Sequence, residues 1–258
     1  WAFAAFQAAL NLAPEFVAAN AGNPDAIAGA LAEDARTFRL DIPPLSFFFL
    51  DVRTHRTLYT ADRPRFTDRA WLRECLGWIA GLEGPGVLVL SQPLVEDPAG
   101  WFKRWAHTMV DVNLPDYAQD FAAVWQALFA ARCDVLVLSG DIHWSRSYSI
   151  EQAGSSPTVH EVISSPLARV PEVLPGWVES VIVGKPDTEK PEGKVDWDGQ
   201  SRRAYWSRRY ATTRAPSYTT LTFAPMGGPV AALRVALTAW GAGGAEVRTD
   251  EFFLRRRS

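Results

Sequence analysis

The sequence predicts an α/β fold with a parallel sheet at its centre. Three short, continuously apolar segments, residues 45–50, 87–90 and 135–138, are typical of strands that are buried on both faces. Two segments with apolar residues at helical spacing lie between them, one beginning at Thr67 as the N-cap and one with its apolar stripe over residues 117–129. Because strands and helices alternate, neighbouring strands should run parallel and be joined by helical crossovers.

Changes in composition divide the chain into four parts. Residues 1–38 have a helical pattern, with Asn23 as the expected N-cap of a second helix, and should pack on the core. Residues 39–170 form the α/β core. Residues 171–215 are rich in proline, glycine and charge and predict a loop-rich excursion, whereas residues 216–258 predict three strands of a second sheet. Since the chain opens on a helical pattern without a methionine, we expect it to begin partway through a longer protein.

The composition argues against several classes of function. The chain has 258 residues and a formal net charge of −3, so it lacks the overall positive field of a nucleic-acid-binding protein. No apolar stretch has the length of a transmembrane segment. The two cysteines, Cys75 and Cys133, lie in or beside predicted helices of a large chain, and we expect both to be reduced and buried.

The most informative motif directly follows the third core strand. There, Gly140 permits a sharp turn or the close approach of a ligand, and Asp141 and His143 come immediately after it. At positions two apart in extended chain, these two side chains point the same way. An oxygen and a nitrogen ligand at the carboxyl end of a buried strand suit a catalytic metal site. In the alternative interpretation, Asp141 caps the turn and His143 packs beneath Trp144.

Polar side chains also follow the other two core strands. Asp51 and Arg53 come after the first strand, and Ser91 and Gln92 come after the second. Ligands of open α/β sheets bind beyond the carboxyl ends of the strands, so these groups should face one cleft, where a guanidinium suits phosphate oxygens. Alternatively, Asp51 and Arg53 form a structural ion pair, and Ser91 and Gln92 only satisfy backbone groups at their turn.

The burial or exposure of four further residues is predicted from the sequence around them. We expect His55 to be peripheral and Arg56 to lie on the surface. His160 and Glu161 are neighbours in a predicted strand and must face opposite ways, so we expect one to be buried and one exposed. Glu161 should lie near the Asp141 turn, because its strand should pair with the strand before that turn.

In their order along the chain, these motifs resemble the PhoD-like alkaline phosphatases, which belong to the calcineurin-like metallophosphoesterase superfamily. The resemblance rests on Phe-Phe-Leu-Asp51-Val-Arg53-Thr-His-Arg, on Leu-Ser-Gly-Asp141-Ile-His143 and on Val-His-Glu161-Val-Ile-Ser-Ser-Pro. It covers most of residues 1–170.

The resemblance implies a four-layer α/β/β/α sandwich with a dinuclear metal centre that hydrolyses phosphomonoesters or phosphodiesters. It implies that Asp141 and His143 are metal ligands for divalent or mixed ions, with Fe, Ca, Zn and Mn all compatible. It also places Asp51 and Arg53 near the reacting group, where Arg53 would balance its charge. Glu161 is expected to orient the His143 ring without binding the metal itself. Ser91 and Gln92 are also expected to support the site without binding the metal.

The family's earlier metal motifs have no counterpart in this sequence, and two ligands cannot complete two coordination spheres. We therefore expect the C-terminal part of a phosphatase that acts on a small-molecule phosphoester and is inactive alone. The alternative is a catalytically inactive phosphatase-like or binding module with an incomplete metal site. A serine hydrolase built on Ser139 and His143 is disfavoured, because no Gly-x-Ser-x-Gly pattern occurs.

Overall fold

The computed structural model describes residues 14–20, 22–23, 25–26, 37–57, 61–95, 114–140, 145–152, 158–164, 192–196, 203–213, 217–226, 232–241, 244 and 246–257. The chain divides into two compact units, Trp1–Phe38 and Arg39–Ser258. The first unit contains helix α1 (Pro14–Ala19). In the same unit, the side-chain oxygen of Asn23 accepts a hydrogen bond from the backbone N–H of Ala26 at 3.1 Å. This contact confirms the N-cap that the sequence predicts.

Within the described ranges, eleven strands, two longer helices and one 3₁₀ helix follow. The helices are α2 (Arg69–Ala80) and α3 (Ala118–Ala130), and the 3₁₀ helix is Leu114–Asp116. The strands are β1 (Phe38–Ile42), β2 (Leu45–Leu50), β3 (Gly86–Leu90), β4 (Val135–Ser139), β5 (Ser145–Gln152), β6 (Val159–Ile163), β7 (Glu192–Asp196), β8 (Arg203–Thr213), β9 (Ser217–Met226), β10 (Ala232–Gly241) and β11 (Glu246–Arg255). None of the helices described is long and apolar enough to cross a membrane.

Eight of the described strands form one mixed sheet in the order β1-β2-β3-β4-β6-β5-β8-β7. Strands β2, β3, β4 and β6 are parallel, whereas β5 is antiparallel to β6 and β8, and β7 is antiparallel to β8. Helix α2 lies between β2 and β3 in the chain, and α3 lies between β3 and β4. The predicted α/β alternation with a parallel core is therefore confirmed, and four carboxyl strand ends meet at one edge of the sheet.

Helices α2 and α3 cover one face of this sheet. Alternate side chains of the parallel strands, among them Phe48, Leu88 and Val137, are completely buried in one cluster with both helices. The two cysteines lie in this cluster, and both are buried and reduced, as predicted. The helix residues buried in the same cluster are Leu72, Cys75, Trp78, Ile79, Phe121, Val124, Trp125 and Leu128.

A second sheet covers the opposite face. Its three strands are antiparallel in the order β11-β10-β9, which confirms the strands predicted for residues 216–258. Gly244, with a φ of +75°, turns the chain between β10 and β11 and donates a hydrogen bond to the carbonyl oxygen of Gly241 at 2.9 Å. The side chains buried between the two sheets are Leu45, Val87, Leu136 and Val162 from the first and Leu233, Val235, Leu237, Phe252 and Leu254 from the second. The described layers are thus helices, a mixed sheet and a smaller sheet.

The predicted N-cap of α2 at Thr67 is wrong by one residue. Asp68 caps this helix, and its side chain accepts a hydrogen bond from the backbone N–H of Ala70 at 2.7 Å. The hydroxyl of Thr67 instead donates to the carbonyl oxygen of Asp51 at 2.6 Å. Both residue types cap helices well, and the tertiary contact with the end of β2 decides between them.

The loop-rich excursion predicted for residues 171–215 is also wrong in part, because Glu192–Asp196 and Arg203–Thr213 are strands. Strand β8 pairs with β5 on one side and β7 on the other. The error has a physical reason, since frequent charged residues and nearby prolines and glycines obscure the period-two pattern of a strand. Long-range pairing with β5 supplies the hydrogen bonds that the local sequence does not predict.

The expectation that one of His160 and Glu161 would be buried and the other exposed is wrong. They do face opposite sides of β6, but only 5% of His160 and 0% of Glu161 is accessible to solvent. The ring of His160 stacks on Phe252 of the second sheet, with centroids 4.5 Å apart. Both side chains are buried because α3 and its neighbours cover one face and the second sheet covers the other.

We expect Asp134→Ala to lower the free energy of unfolding by about 2 kcal/mol, because it removes the anchor of the C-terminal strand. The Asp134 carboxylate accepts a hydrogen bond from the backbone N–H of Arg255 at 2.8 Å and lies 3.4 Å from Nε of Arg257. Asp134→Asn keeps an acceptor for the backbone N–H and should cost about half as much. Urea unfolding measures both variants. Asp62→Ala, a change at an exposed carboxylate, is the control. If Asp134→Ala lowers the free energy of unfolding no more than this control does, Asp134 does not anchor the C-terminal strand.

Candidate functional site

The candidate site lies at the edge of the first sheet where β2, β3, β4 and β6 end. Since these strands are parallel, the segments that follow them leave the sheet on the same side. The antiparallel strand β5 begins at that edge and adds its first residues to it. Most of the residues selected from the sequence follow these strands, so the topology brings them to one region.

Asp51 builds the turn that follows β2. One oxygen of its carboxylate accepts hydrogen bonds from the backbone N–H groups of Arg53 at 2.8 Å and Thr54 at 2.9 Å. The side chain therefore holds its own backbone two and three residues ahead, as in an Asx turn. Arg53 is half-buried on this turn. Asp51 thus positions Arg53 through the backbone.

Arg56 joins the turns after β2 and β3, although the sequence indicated a surface position for it. Its Nη2 donates to the side-chain oxygen of Gln92, and its Nε donates to the carbonyl oxygen of Val52. The guanidinium carbon lies 5.5 Å from the ring centroid of Tyr117, at the start of α3, in cation–π geometry. Gln92 is buried, with 2% of its surface accessible, whereas Ser91 is exposed.

Among the described residues at this edge, Glu161 has the most deeply buried carboxyl group. Its Oε1 accepts hydrogen bonds from the backbone N–H of Leu94 at 2.7 Å and from the hydroxyl of Ser139 at 3.3 Å. Its Oε2 accepts from the backbone N–H of Val95 at 3.0 Å. One side chain on β6 therefore holds the segment after β3 and the end of β4 together.

Arg146 is a charged neighbour of Glu161 that was not predicted from the sequence. Glu161 is opposite Tyr148 in the β5–β6 register, so Arg146, two residues along β5, lies diagonally across on the same face. Only 3% of Arg146 is accessible, and its Nη2 donates to the carbonyl oxygen of Val95 at 3.2 Å. Side chains along β5 point alternately to the two faces of the sheet. Because both faces are covered, this alternation could have identified Arg146 as buried.

Burial raises the pKa of the Glu161 carboxyl from 4.5 to about 7. Desolvation is the largest cause, because a charged carboxylate without water is unfavourable. The two backbone hydrogen bonds and the positive charge of Arg146 act in the opposite direction. Glu161 can therefore exchange a proton near neutral pH at the edge of the sheet.

The two predicted metal ligands, Asp141 and His143, lie outside the described residues. The last described residue before them is Gly140, where an added Cβ would lie 3.6 Å from the carbonyl oxygen of Ser164, an ordinary contact. The described backbone therefore leaves room for a side chain there. In the parts of the chain that the structure describes, no three His, Cys, Asp or Glu side chains are grouped as a metal site requires.

His55 follows β2 in the chain and lies beside this region. Its ring packs edge-on against Trp71 of α2, with centroids 4.6 Å apart, and it is half-buried. The hydroxyl of Ser139, the nucleophile of the disfavoured hydrolase, donates to Glu161. These contacts give both residues structural roles at the border of the site.

Comparisons with models of known families, with curated proteins and with solved structures found no match to this chain. The functional interpretation therefore depends on the residues at the sheet edge. That edge combines a buried carboxyl group with a raised pKa, two arginines on short turns and the strand end that leads into Asp141 and His143. Such a combination suits an anionic ligand, because guanidinium groups bind phosphate or carboxylate oxygens.

Proposed function

We propose that this chain forms part of a metal-dependent phosphoester hydrolase of the PhoD-like alkaline phosphatase type, with a small-molecule phosphoester as substrate. One observation carries the proposal. Strand β4, a central parallel strand, ends at the edge where the turns of Asp51 and Arg56 also lie, and Asp141 and His143 follow its last residue, Ser139, by two and four positions in the sequence. A carboxylate and an imidazole at that position are a natural pair of metal ligands.

The layered architecture supports this proposal. Helices, a mixed sheet and a second antiparallel sheet pack in that order around two apolar clusters. The four-layer sandwich that the resemblance implies has one more helical layer, on the outside of the second sheet. We propose that sandwich as the fold of the complete enzyme.

A metal site is compatible with the donor types at the edge but needs more donors than the described residues provide. Asp141 and His143 would hold an ion, and Glu161 would orient the His143 ring. Bound ions would lower the pKa of a water molecule and polarise the phosphoryl oxygens. Further ligands would have to come from sequence beyond the 258 residues, because the family's earlier metal motifs are missing from them.

The protein residues at this edge have roles that follow from their contacts. Arg53 would bind a phosphoryl oxygen and balance its negative charge, since the Asp51 turn holds its backbone. Arg56 and Gln92 would hold the turns after β2 and β3 at a constant separation. Glu161 would fix the end of β4, and therefore the segment that carries the ligands, relative to the turn after β3.

The test is carried out on the complete protein encoded by the reading frame that contains this sequence. We expect His143→Ala to lower both the bound metal and the turnover of p-nitrophenyl phosphate by at least about 100-fold. Metal content is measured by mass spectrometry and turnover by absorbance. His55→Ala is the matched control and should retain both, because His55 packs against Trp71. Unchanged metal content and turnover in His143→Ala would exclude the assignment.

The second candidate is a phosphatase-like binding module without catalytic activity. The observation that favours it is that the family's earlier metal motifs have no counterpart in this sequence. The same measurements separate the two functions. A complete protein that binds neither Zn²⁺, Mn²⁺, Fe²⁺ nor Ca²⁺ and does not hydrolyse p-nitrophenyl phosphate would support the binding module.

A further inference from the structure

We propose that a cluster of arginines at the edge where β4 and β6 begin binds the anionic headgroups of a lipid surface. This arginine corner consists of Arg132, Arg255 and Arg256, and all three residues are exposed. Arg132 follows α3, whereas the other two lie at the end of β11. Guanidinium groups bind phosphate oxygens through paired hydrogen bonds, so they suit a phosphate-bearing partner. Because the candidate site lies at the opposite edge of the sheet, the corner can act whether or not that site hydrolyses phosphoesters.

Backbone hydrogen bonds hold the two segments of the arginine corner together. The N–H of Arg257 donates to the carbonyl oxygen of Arg132 at 2.7 Å, and the N–H of Asp134 donates to that of Arg255 at 2.8 Å. Arg256 lies between these two hydrogen bonds in the antiparallel pairing. The three arginines are therefore fixed on a short two-stranded ribbon, and less backbone ordering is needed when a ligand binds.

Arg257 attaches this ribbon to the core. Its Nη1 donates to the carbonyl oxygen of Phe129 in the last turn of α3 at 3.1 Å, and its Nη2 donates to that of Thr158 at 3.3 Å. Its Nε lies 3.4 Å from a carboxylate oxygen of Asp134. One guanidinium group thus joins α3 to the segments that lead into β4 and β6. The arginine corner is consequently part of the folded core and not a loose tail.

The positive charge of the arginine corner is not neutralised by ion pairs. Two carboxylates of the same segments pair with other arginines, Asp134 with Arg257 and Glu251 with Arg234. In the part of the chain that the structure describes, no ion pair includes a residue of the corner. The corner therefore keeps its charge, although the whole chain has a formal net charge of −3. A local field of this kind attracts an anionic surface.

Apolar side chains beside the arginine corner favour a lipid surface over other polyanions. In the second sheet, Met226 lies opposite Ala232, which in turn lies opposite Arg255, so the three share one face. Met226 is 45% accessible, and the guanidinium carbon of Arg255 lies 5.4 Å from the ring centroid of Phe253. Apolar groups beside cations are typical of surfaces that enter the headgroup layer. A nucleic acid supplies phosphates, but it has no apolar layer that Met226 could enter.

Sedimentation with lipid vesicles tests the proposal. We expect the protein to bind vesicles of phosphatidylcholine that contain about 30% phosphatidylserine, and not vesicles of phosphatidylcholine alone. Raising the NaCl concentration from about 0.1 to about 0.5 M should weaken the binding by at least about ten-fold, because salt screens the charges. No binding to the vesicles that contain phosphatidylserine overturns the proposal. Tighter binding to a single-stranded oligonucleotide of about 20 residues than to these vesicles also overturns it and makes a nucleic acid the partner.

Charge reversal tests whether the arginine corner is the binding surface. Each arginine close to an anionic bilayer contributes roughly five-fold to the affinity, so reversing three should weaken vesicle binding by at least about 50-fold. The variant combines Arg132→Glu, Arg255→Glu and Arg256→Glu. The matched control changes the net charge equally at three other exposed positions and should bind within about three-fold of the original chain; it combines Arg63→Glu, Arg69→Glu and Arg73→Glu. Equal losses in the two variants overturn the proposal, because binding then follows net charge alone.

The described hydrogen bonds of the arginine corner involve only its backbone atoms, so the reversed variant is expected to fold. Circular dichroism and thermal unfolding check this. A milder variant keeps the test decisive, because glutamine at the same three positions removes the charge without reversing it and should weaken binding by at least about ten-fold. A glutamine variant that binds as tightly as the original chain overturns the proposal.

Met226→Ser tests the apolar contact separately. This change should weaken binding to the vesicles by about five-fold, because it removes an apolar side chain that enters the bilayer. Thr222→Ser is the control, since Thr222 is an exposed residue of the same strand and two rows away from the row of Arg255. It should leave the affinity unchanged. Unchanged binding in Met226→Ser overturns the choice of a lipid surface as the partner.

Discussion

Glu161→Ala is expected to lower the free energy of unfolding by about 4 kcal/mol, the largest effect of any single change at the sheet edge. The change removes the acceptor for the backbone N–H groups of Leu94 and Val95 and for the hydroxyl of Ser139. It also leaves Arg146 buried without the carboxyl group diagonally opposite it. Unsatisfied buried donors are among the most costly defects in a protein.

Urea denaturation followed by tryptophan fluorescence measures this loss. Glu151→Ala is the matched control, because Glu151 is a half-buried glutamate on the neighbouring strand β5. It should cost no more than about 0.5 kcal/mol. If the two variants are equally stable, the contacts of Glu161 do not hold the turn after β3.

The raised pKa of Glu161 also gives stability a defined pH dependence. In the folded protein the carboxyl binds its proton up to about pH 7, whereas in the unfolded chain it releases it near pH 4.5. Between these values the folded state binds more protons, so the contribution of Glu161 to stability is full below pH 4.5 and is lost as the pH rises to about 7. The total corresponds to about 3 kcal/mol.

Glu161→Gln isolates this contribution, because glutamine resembles the protonated carboxyl and does not titrate. The difference in unfolding free energy between the original chain and this variant should shift in favour of the variant by about 3 kcal/mol between pH 4.5 and 8. Taking the difference cancels the titration of all other groups. A difference that stays constant with pH would show that Glu161 has an ordinary pKa.

Phe252→Ala should lower the free energy of unfolding by about 4 kcal/mol, because it opens a cavity between the two sheets. Only 2% of Phe252 is accessible, and its ring stacks on His160 with an interplanar angle of 22°. His160 is in turn 3.2 Å from the hydroxyl of Ser149 through Nδ1. The substitution therefore removes the apolar cover of a buried polar pair as well as the ring itself.

Phe253→Ala is the control for this prediction. Phe253 is the next residue of β11, so it points to the other face of the second sheet and is only half-buried. We expect it to cost about 1 kcal/mol, and Phe252→Leu, which fills most of the cavity, to cost about 1.5 kcal/mol. Thermal and urea unfolding measure all three variants. Equal losses for Phe252→Ala and Phe253→Ala would contradict the packing of the second sheet on His160.

Prediction from sequence was accurate where the signal was local. The sequence patterns correctly predicted three strands and two helices: β2, β3, β4, α2 and α3. Side chains that are buried at regular intervals along an element require apolar residues at the same intervals in the sequence. The three strands predicted for residues 216–258 are present, and Gly244 between β10 and β11 has the positive φ that favours glycine. The reduced, buried state of Cys75 and Cys133 also followed from chain length and position.

Residues whose partners are distant in sequence were predicted poorly. Arg56 was assigned to the surface, but its side chain binds Gln92, 36 residues away. The strand of Glu161 pairs with β4, as expected, but the contacts of Glu161 with Leu94 and Val95, which precede it by 67 and 66 residues, were not predicted. Arg146 was not selected at all, because an arginine in a strand indicates an exposed face unless both faces are known to be covered.

The sequence by itself determined the α/β class, the parallel core and the set of polar residues that follow its strands, since each depends on spacing within a few residues. Only the tertiary structure decided that β6 lies between β4 and β5, and that a second sheet covers the face opposite the helices. That arrangement buries both His160 and Glu161 and brings Arg146 beside the carboxyl group. Strand order and layer contacts depend on free energies summed over the whole chain, and no local pattern carries that information.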